Sequence, residues 1–301
     1  MKQFTILQTN LNQYYTNKLS QELQCSITQV HTGVFSDGEL SIELTESVYN
    51  KEVIIYLNFS GSINDSFMEF LFLCDAARRS GAQKIIGVIP YLPYARQERR
   101  TGLSPISARV IADMIERAQV DHLITFELHS QAIEGFFKIP VTNIRIHELF
   151  LEKLSTMVNP SKSILVSPDV GGTNRVSLFA NLLKCDFAIM QKFRPKANDC
   201  EMLNIIGDVK GKDCYIIDDL CDTGKSLVKC AQMLKDHGAQ TIYAVMGHSV
   251  FSGKALDLLK DSPIKKTLVS NSLKPNFQEP TIEVYDLIPL ISKTLKRNFK
   301  S

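Results

Sequence analysis

Between Cys214 and Leu227 the chain reads CYIIDDLCDTGKSL. Two adjacent acids, Asp218 and Asp219, run into Asp222, Thr223, Gly224, Lys225 and Ser226. Carboxylates at such a place can accept hydrogen bonds from sugar hydroxyls or hold a metal. The unpaired N–H groups of a helix start, with the helix dipole behind them, can hold a phosphate. Gly224-Lys225-Ser226 looks like the end of a nucleotide P-loop, but that motif needs a glycine where this chain has Asp219. An acid there repels a triphosphate. A plain turn with Thr223 or Ser226 as helix cap is the bland alternative, and it leaves three acids unexplained.

Further segments carry the same kind of chemistry. Ser167-Pro168-Asp169-Val170-Gly171-Gly172-Thr173 has two glycines that let the backbone approach an anion closely, with Asp169 placed to bind a magnesium ion beside it. Lys192-Phe193-Arg194-Pro195-Lys196 sets cations at alternate positions before and after a proline, a pattern suited to closing over polyphosphate, though taken alone it reads more simply as a solvated basic loop. Glu127-Leu128-His129-Ser130 brings a carboxylate and an imidazole to one metal or one nucleotide phosphate. Phe35-Ser36-Asp37-Gly38-Glu39 offers an aromatic face for a base with acceptors nearby. The run from Pro90 to Arg100, including Arg96 and Gln97, clusters guanidinium groups suited to phosphate oxygens. Arg78 and Arg79 sit late in a surface helix, where they read as solvated or as complementing its dipole.

These segments need elements to hold them. Apolar runs at 53–57, 84–89, 122–126, 163–166, 187–190, 215–217 and 241–246 read as buried strands. Amphipathic helices lie between several of them. The clearest, 65–80, carries Phe67, Phe70, Leu71, Cys74 and Ala77 at helical spacing and stops at Gly81. Another spans 227–237, with Leu227, Cys230, Ala231 and Leu234 on one face. Such alternation predicts an α/β fold of parallel sheets flanked by helices, in two halves divided near residue 146. In such sheets ligands collect beyond the carboxyl ends of strands, where the Asp169 and Asp218 loops both fall.

Composition sets the outer limits. A chain of 301 residues, 44% hydrophobic and 22% charged, is long enough for two domains with real cores. A net charge of +2 implies no general polyanion-binding surface, so no nucleic-acid partner is expected. The seven cysteines contain no C-x-x-C pair and support neither a zinc site nor a disulfide framework. MKQFTILQTN lacks the apolar core of a signal peptide, and no apolar run approaches the ~18 residues a membrane span requires. The expectation is a soluble cytoplasmic protein with no membrane partner.

FSDGE, NDSFMEFLFLCDAARRSGAQKI, VIPYLPYARQERR, SPIS, ELHS followed by GFF, SPDVGG, NIIGDVKGK and DDLCDTGKSL, in that order, resemble the ribose-phosphate diphosphokinase (phosphoribosyl diphosphate synthetase) family. The resemblance implies two type I phosphoribosyltransferase-like domains, 1–146 and 147–301, each a mainly parallel sheet flanked by helices. It implies that ATP and ribose 5-phosphate give AMP and phosphoribosyl diphosphate, with magnesium required and manganese an alternative ion. It implies a homo-oligomer, at least a dimer and up to a hexamer. Carried over by position, Phe35, Asp37 and Glu39 receive adenine across a subunit boundary, while Arg96, Gln97 and His129 contact ATP. Asp218, Asp219, Asp222, Thr223, Gly224, Lys225 and Ser226 bind ribose 5-phosphate. Asp169, Gly171 and Gly172 lie along the diphosphate. Glu127, His129 and Asp169 organise the metal, and Lys192 and Arg194 belong to the catalytic loop.

The chain departs from the family pattern at several places. Glu127 stands for the usual Asp, Glu134 for Gln and Thr142 for Asp. Tyr49 and Leu103 stand where many members have Arg, and a Ser-rich tail ending in Leu-Phe is missing. The last three features belong to the phosphate and ADP regulatory site of regulated members, so weak allosteric control is expected. The rival readings are a noncatalytic regulatory homologue and a phosphoribosyltransferase that consumes phosphoribosyl diphosphate. Intact Lys192, Arg194 and Asp169 speak against the first, and the FSDGE and YARQ segments are unexplained by the second.

Overall fold

A computed structural model describes residues 4–59, 61–193 and 202–299. Among these residues the chain forms two compact units. One is made of residues 1–145, 272–274 and 287–301, the other of residues 146–271 and 275–286.

The first unit contains strands β1 (Phe4–Gln8), β2 (Ser26–Val34), β3 (Leu40–Leu44), β4 (Glu52–Tyr56), β5 (Lys84–Ile89), β6 (His122–Phe126) and β7 (Val141–Ile144). They form one sheet in the order β3-β2-β1-β4-β5-β6-β7, parallel throughout except for the β2–β3 hairpin. Its helices are α1 (Gln13–Leu23), α2 (Ile63–Arg79) and α3 (Ser107–Arg117). β1 and β4 are buried at every residue, as strands covered on both faces must be.

Helix α2 shows how local chemistry sets the boundaries. Ser62 caps it by accepting from the Asp65 N–H at 3.3 Å, and Asp65 in the first turn complements the dipole. The helix stops before Gly81, whose φ of +82° a side chain rarely adopts. Phe67, Phe70, Cys74 and Ala77 are buried on its inner face, with Leu73 beside them and Leu71 half-buried.

The second unit contains α4 (Ile146–Met157), β8 (Ser163–Ser167), α5 (Thr173–Leu183), β9 (Asp186–Phe193), β10 (Met202–Ile206), β11 (Asp213–Cys221), α6 (Lys225–Asp236), β12 (Thr241–Ser249), α7 (Ala255–Lys260), β13 (Ile264–Ser270) and β14 (Ile282–Tyr285). Its sheet order is β10-β9-β8-β11-β12-β13-β14, again parallel except for one edge pair, β9–β10. The last helix, α8 (Ile288–Phe299), belongs to the first unit and packs on α1. Among the described residues no helix is long and apolar enough to cross a membrane.

Candidate active site

β8 and β11 are hydrogen-bonded neighbours running in the same direction, with Ile164 opposite Cys214 and Val166 opposite Ile216. Their carboxyl ends therefore lie side by side, and each opens into one of the two glycine-bearing loops. The Cys214–Ile217 run is buried because its sheet is covered on both faces, which leaves the acids that follow as the first groups to emerge at the strand end.

At the end of β8, Ser167 Oγ donates to the Asp169 carbonyl at 2.6 Å, and the Gly172 N–H donates to Asp169 Oδ1 at 2.9 Å. These bonds fold the loop tightly around Asp169, whose carboxylate remains exposed. A Cβ at Gly172 would lie 2.7 Å from Ser167 Oγ and 3.4 Å from Arg175 Nη1, and one at Gly171 would lie 3.3 Å from Asp169 Oδ1. A side chain at Gly172 would have to displace the Ser167 hydroxyl that holds the loop. Helix α5 begins directly after, with no side-chain cap.

At the end of β11, Asp218 and Asp219 are held by Arg175. Its Nη1 lies 3.1 Å from Asp218 Oδ1 and its Nη2 3.8 Å from Asp219 Oδ1, and the guanidinium side chain is only 10% exposed. Asp218 Oδ1 also accepts from the Asp219 N–H at 2.9 Å. Burial pushes the Asp218 carboxyl well above its ordinary pKa, Asp219 adds to the rise, and Arg175 opposes it. Thr223, Lys225 and Ser226 are exposed, Asp222 is half-buried, and Gly224 adopts φ +75° at the start of α6. Neither Thr223 nor Ser226 caps this helix, which has no side-chain cap. The first-turn N–H groups of α6 are thus not taken up by a capping side chain, the arrangement a phosphate exploits. Cys221 is buried beneath the loop, its thiol pushed up to about 12 by burial and then by Asp218 and Asp222.

In the first unit, His129 is exposed on the loop after β6. Glu127, two residues earlier, is 1% exposed and sits at φ +39°. Its Oε2 lies 3.5 Å from Arg145 Nε, and its N–H donates to the Ile144 carbonyl at 2.8 Å. With the Gln131 amide turned so that its oxygen faces Arg145, that oxygen accepts from both terminal guanidinium nitrogens at 2.8 and 2.9 Å. Asn143 holds the same loop from the other side: its Oδ1 accepts from the Leu128 N–H at 3.3 Å and its Nδ2 donates to Glu134 Oε1 at 2.9 Å. The unusual Glu127 and Glu134 are therefore anchored by residues at the end of β7. Thr142 bonds elsewhere, to His122 Nε2 at 2.7 Å and Asn298 at 3.1 Å.

Phe35, Asp37 and Glu39 form the turn of the β2–β3 hairpin, closed by Phe35 N–H to the Glu39 carbonyl at 2.8 Å and by Glu39 N–H to Asp37 Oδ1 at 3.1 Å. All three are exposed, and Phe35 presents 58% of its surface. Arg96 is exposed after β5, whereas Gln97 is tied to the start of α3: its side chain bonds Ser107, and its carbonyl accepts from the Ala108 N–H at 3.2 Å. Tyr49 and Leu103 are 77% and 93% exposed. Lys192 is in β9, and Arg194 lies outside the described residues. Arg145, Asn143 and Arg175 escape sequence reasoning because each acts across strands or loops distant along the chain. An arginine two residues past a Gly-Gly-Thr turn is the only local sign of Arg175.

Comparison with known proteins gives the family and the fold. The N-terminal domain of ribose phosphate pyrophosphokinase matches residues 4–118, and the phosphoribosyl synthetase-associated domain matches residues 189–301. The ribose-phosphate pyrophosphokinase of Helicobacter hepaticus is 38% identical, covering 99% of this chain and 96% of its own. That of Chromobacterium violaceum is 40% identical over 91% of this chain and 85% of its own. A crystal structure of phosphoribosylpyrophosphate synthetase from Mycobacterium smegmatis superposes with a TM-score of 0.92 at 28% identity, covering 99% of both chains. With motifs, twin sheets and near full-length similarity in agreement, the chain belongs to the ribose-phosphate pyrophosphokinase family.

Proposed function

We propose that this protein is a ribose-phosphate pyrophosphokinase: it transfers the β,γ-diphosphoryl group of ATP to the 1-hydroxyl of ribose 5-phosphate, releasing AMP. The observation that carries this reading is the pair of glycine-bearing loops at the adjacent ends of β8 and β11, one beside an exposed acid and the other beside two acids gripped by an arginine. Two phosphate-shaped loops on neighbouring strands suit a sugar phosphorylated at both ends, which is the product.

The α6 loop takes the 5-phosphate through Thr223, Gly224, Lys225 and Ser226, with Asp222 beside it. Asp218 and Asp219 accept from the ribose 2- and 3-hydroxyls, fixing the sugar so that its 1-hydroxyl attacks the β-phosphorus in line. Asp169, Gly171 and Gly172 lie along the diphosphate. Phe35, Asp37 and Glu39 serve adenine from a neighbouring copy in a homo-oligomer, and Arg96 and Gln97 face ATP. Lys192 and Arg194 offset charge on the transferring phosphorus. Little covalent chemistry is asked of the protein, so positioning and electrostatics supply the acceleration.

Magnesium is the ion this donor set suits. Among the described residues no three His, Cys, Asp or Glu side chains gather as a cage. Magnesium does not need one, since it keeps several waters and takes one or two carboxylates plus substrate phosphate oxygens. The exposed Asp169 in the second unit and the exposed His129 in the first are each candidates to face it, while Glu127 is buried against Arg145. When bound, the ion neutralises phosphate charge. Manganese, with the same oxygen preference, substitutes. Exposed Tyr49 and Leu103, in place of the family's arginines, remove positive charge that a regulatory phosphate or ADP would need. Weak phosphate activation follows.

The test is AMP formation from ATP and magnesium by the purified protein, with and without ribose 5-phosphate, repeated for Lys192→Ala. AMP that depends on ribose 5-phosphate and falls sharply in the variant supports the proposal. ATP left untouched across metals and phosphate concentrations rejects it in favour of a noncatalytic homologue.

A further inference from the structure

We propose that Arg175 is a positioning residue for ribose 5-phosphate, locking the two ribose-facing acids to the diphosphate loop so that both loops keep one geometry. The inference rests on the reading above. Arg175 reaches out of α5, three residues after the Gly172 turn, and forks across to the end of β11, with one nitrogen 3.1 Å from Asp218 and another 3.8 Å from Asp219. Adjacent carboxylates repel each other, and their natural relaxation is to swing apart. A fork that meets both holds them together, as a lysine's single point charge does less well. The Asp219 N–H on Asp218 Oδ1 fixes the same oxygen from the backbone, which points the pair in one direction.

The connection also runs back into the diphosphate loop. Arg175 stands three residues after Gly172 on the same first turn of α5, its Nη1 passing 3.4 Å from where a Cβ of Gly172 would be, and Gly172 is held by Asp169. Asp169, Gly172 and Arg175 are thus tied by the short path of the chain, and Arg175 by its ion pairs to Asp218 and Asp219, inside one unit. The Arg175 side chain is 10% exposed, less than Asp218 at 24%, so it braces the more open acid from a largely buried position.

Steady-state kinetics of Arg175→Met and Arg175→Lys test this, with KM measured separately for ribose 5-phosphate and ATP, and melting temperatures recorded for each. The expected result is a rise in KM for ribose 5-phosphate of about tenfold or more in Arg175→Met, consistent with a lost charge-assisted pair. KM for ATP should change by less than about twofold, with partial recovery of the ribose 5-phosphate value in Arg175→Lys. If Arg175→Met does not fold, Arg175→Lys decides alone: a selective rise in its KM for ribose 5-phosphate supports the inference. Unchanged KM for ribose 5-phosphate, or equal rises for both substrates, overturns it and leaves Arg175 a structural residue. Failure of the wild-type protein to form AMP would sink the functional reading itself, a distinct outcome.

Discussion

Phe299 lies edge-on against Phe4, the ring centroids 6.5 Å apart and the planes at 88°. The same ring carries Lys84 Nζ over its face at 4.4 Å and meets His122 edge-on at 5.0 Å. Residues near the two ends of the described chain therefore close one unit, and α8 is part of the first sheet's cover. Phe299→Ala should destabilise that unit by about 3–5 kcal/mol, the usual cost of emptying a buried aromatic site. Denaturant unfolding followed by circular dichroism checks it; a loss below about 1 kcal/mol would show that α8 contributes little.

Space around Gly172 supplies a second prediction. Gly172→Ala would drive a methyl to 2.7 Å from Ser167 Oγ, so the loop around Asp169 must open. Activity should fall at least about tenfold, and Ser167→Ala in the same chain should restore part of it, because the hydroxyl is the first obstacle. Equal activity of single and double variants would argue against this account.

Asp218 is kept at a cost in stability. Its carboxyl is raised in the folded state, first by burial and then by Asp219, so the folded chain holds a proton there more readily than the unfolded chain does. The cost of the ionised acid is fully present above the folded pKa. It shrinks as pH falls through the interval between the two values and is gone below the unfolded pKa, about 3.9. Asp218→Asn should therefore melt at a higher temperature than the wild type above that interval, with the gain vanishing near pH ~4, while turnover of ribose 5-phosphate collapses. Melting curves across pH decide it, and a lower melting temperature at neutral pH contradicts it.

Removing Arg145 takes a cationic neighbour from the buried Glu127. Arg145→Met is expected to cost about 3–5 kcal/mol and to raise the magnesium concentration needed for half-maximal rate. Adding Glu127→Gln should recover stability more than it recovers the magnesium requirement, since it removes the buried charge without rebuilding the loop that carries His129. Parallel melting and magnesium-activation curves separate the two effects.

Legibility in the sequence followed unbroken apolar runs rather than burial alone: β1 is buried throughout, yet FTILQ is interrupted by polar residues and escapes notice, whereas the partly exposed β9 is read from its apolar core. β4, β5, β6, β8, β11 and β12 stand out as apolar runs because both faces of these sheets are covered. β2 and β3 escape notice because partial exposure interrupts the pattern: Ser26–Val34 mixes buried and exposed residues, and Leu40–Leu44 is nowhere fully buried. β7 and β14 are simply short. The acids and glycines of the site are legible because their types are rare at strand ends. What holds them is not, because Arg175 meets Asp218 across 43 residues and Asn143 meets Leu128 across 15. Glu127 is legible as a candidate ligand by type, but its burial against Arg145 depends on β6 and β7 being neighbours.

The two sheets share one strand order, and each begins its antiparallel edge in the same way. A helix ends at a left-handed residue, Gln24 or Lys184, followed by a cysteine whose N–H reaches back to the helix, and then by the hairpin strand. In the first unit that hairpin turn is Phe35 to Glu39; in the second, the segment between β9 and β10 carries Arg194. The two units therefore share strand order and the local geometry that leads into the antiparallel edge. Under the proposed function this one architectural position carries different chemistry in each half: an aromatic and acidic turn in the first unit, and in the second a segment whose sequence is cationic.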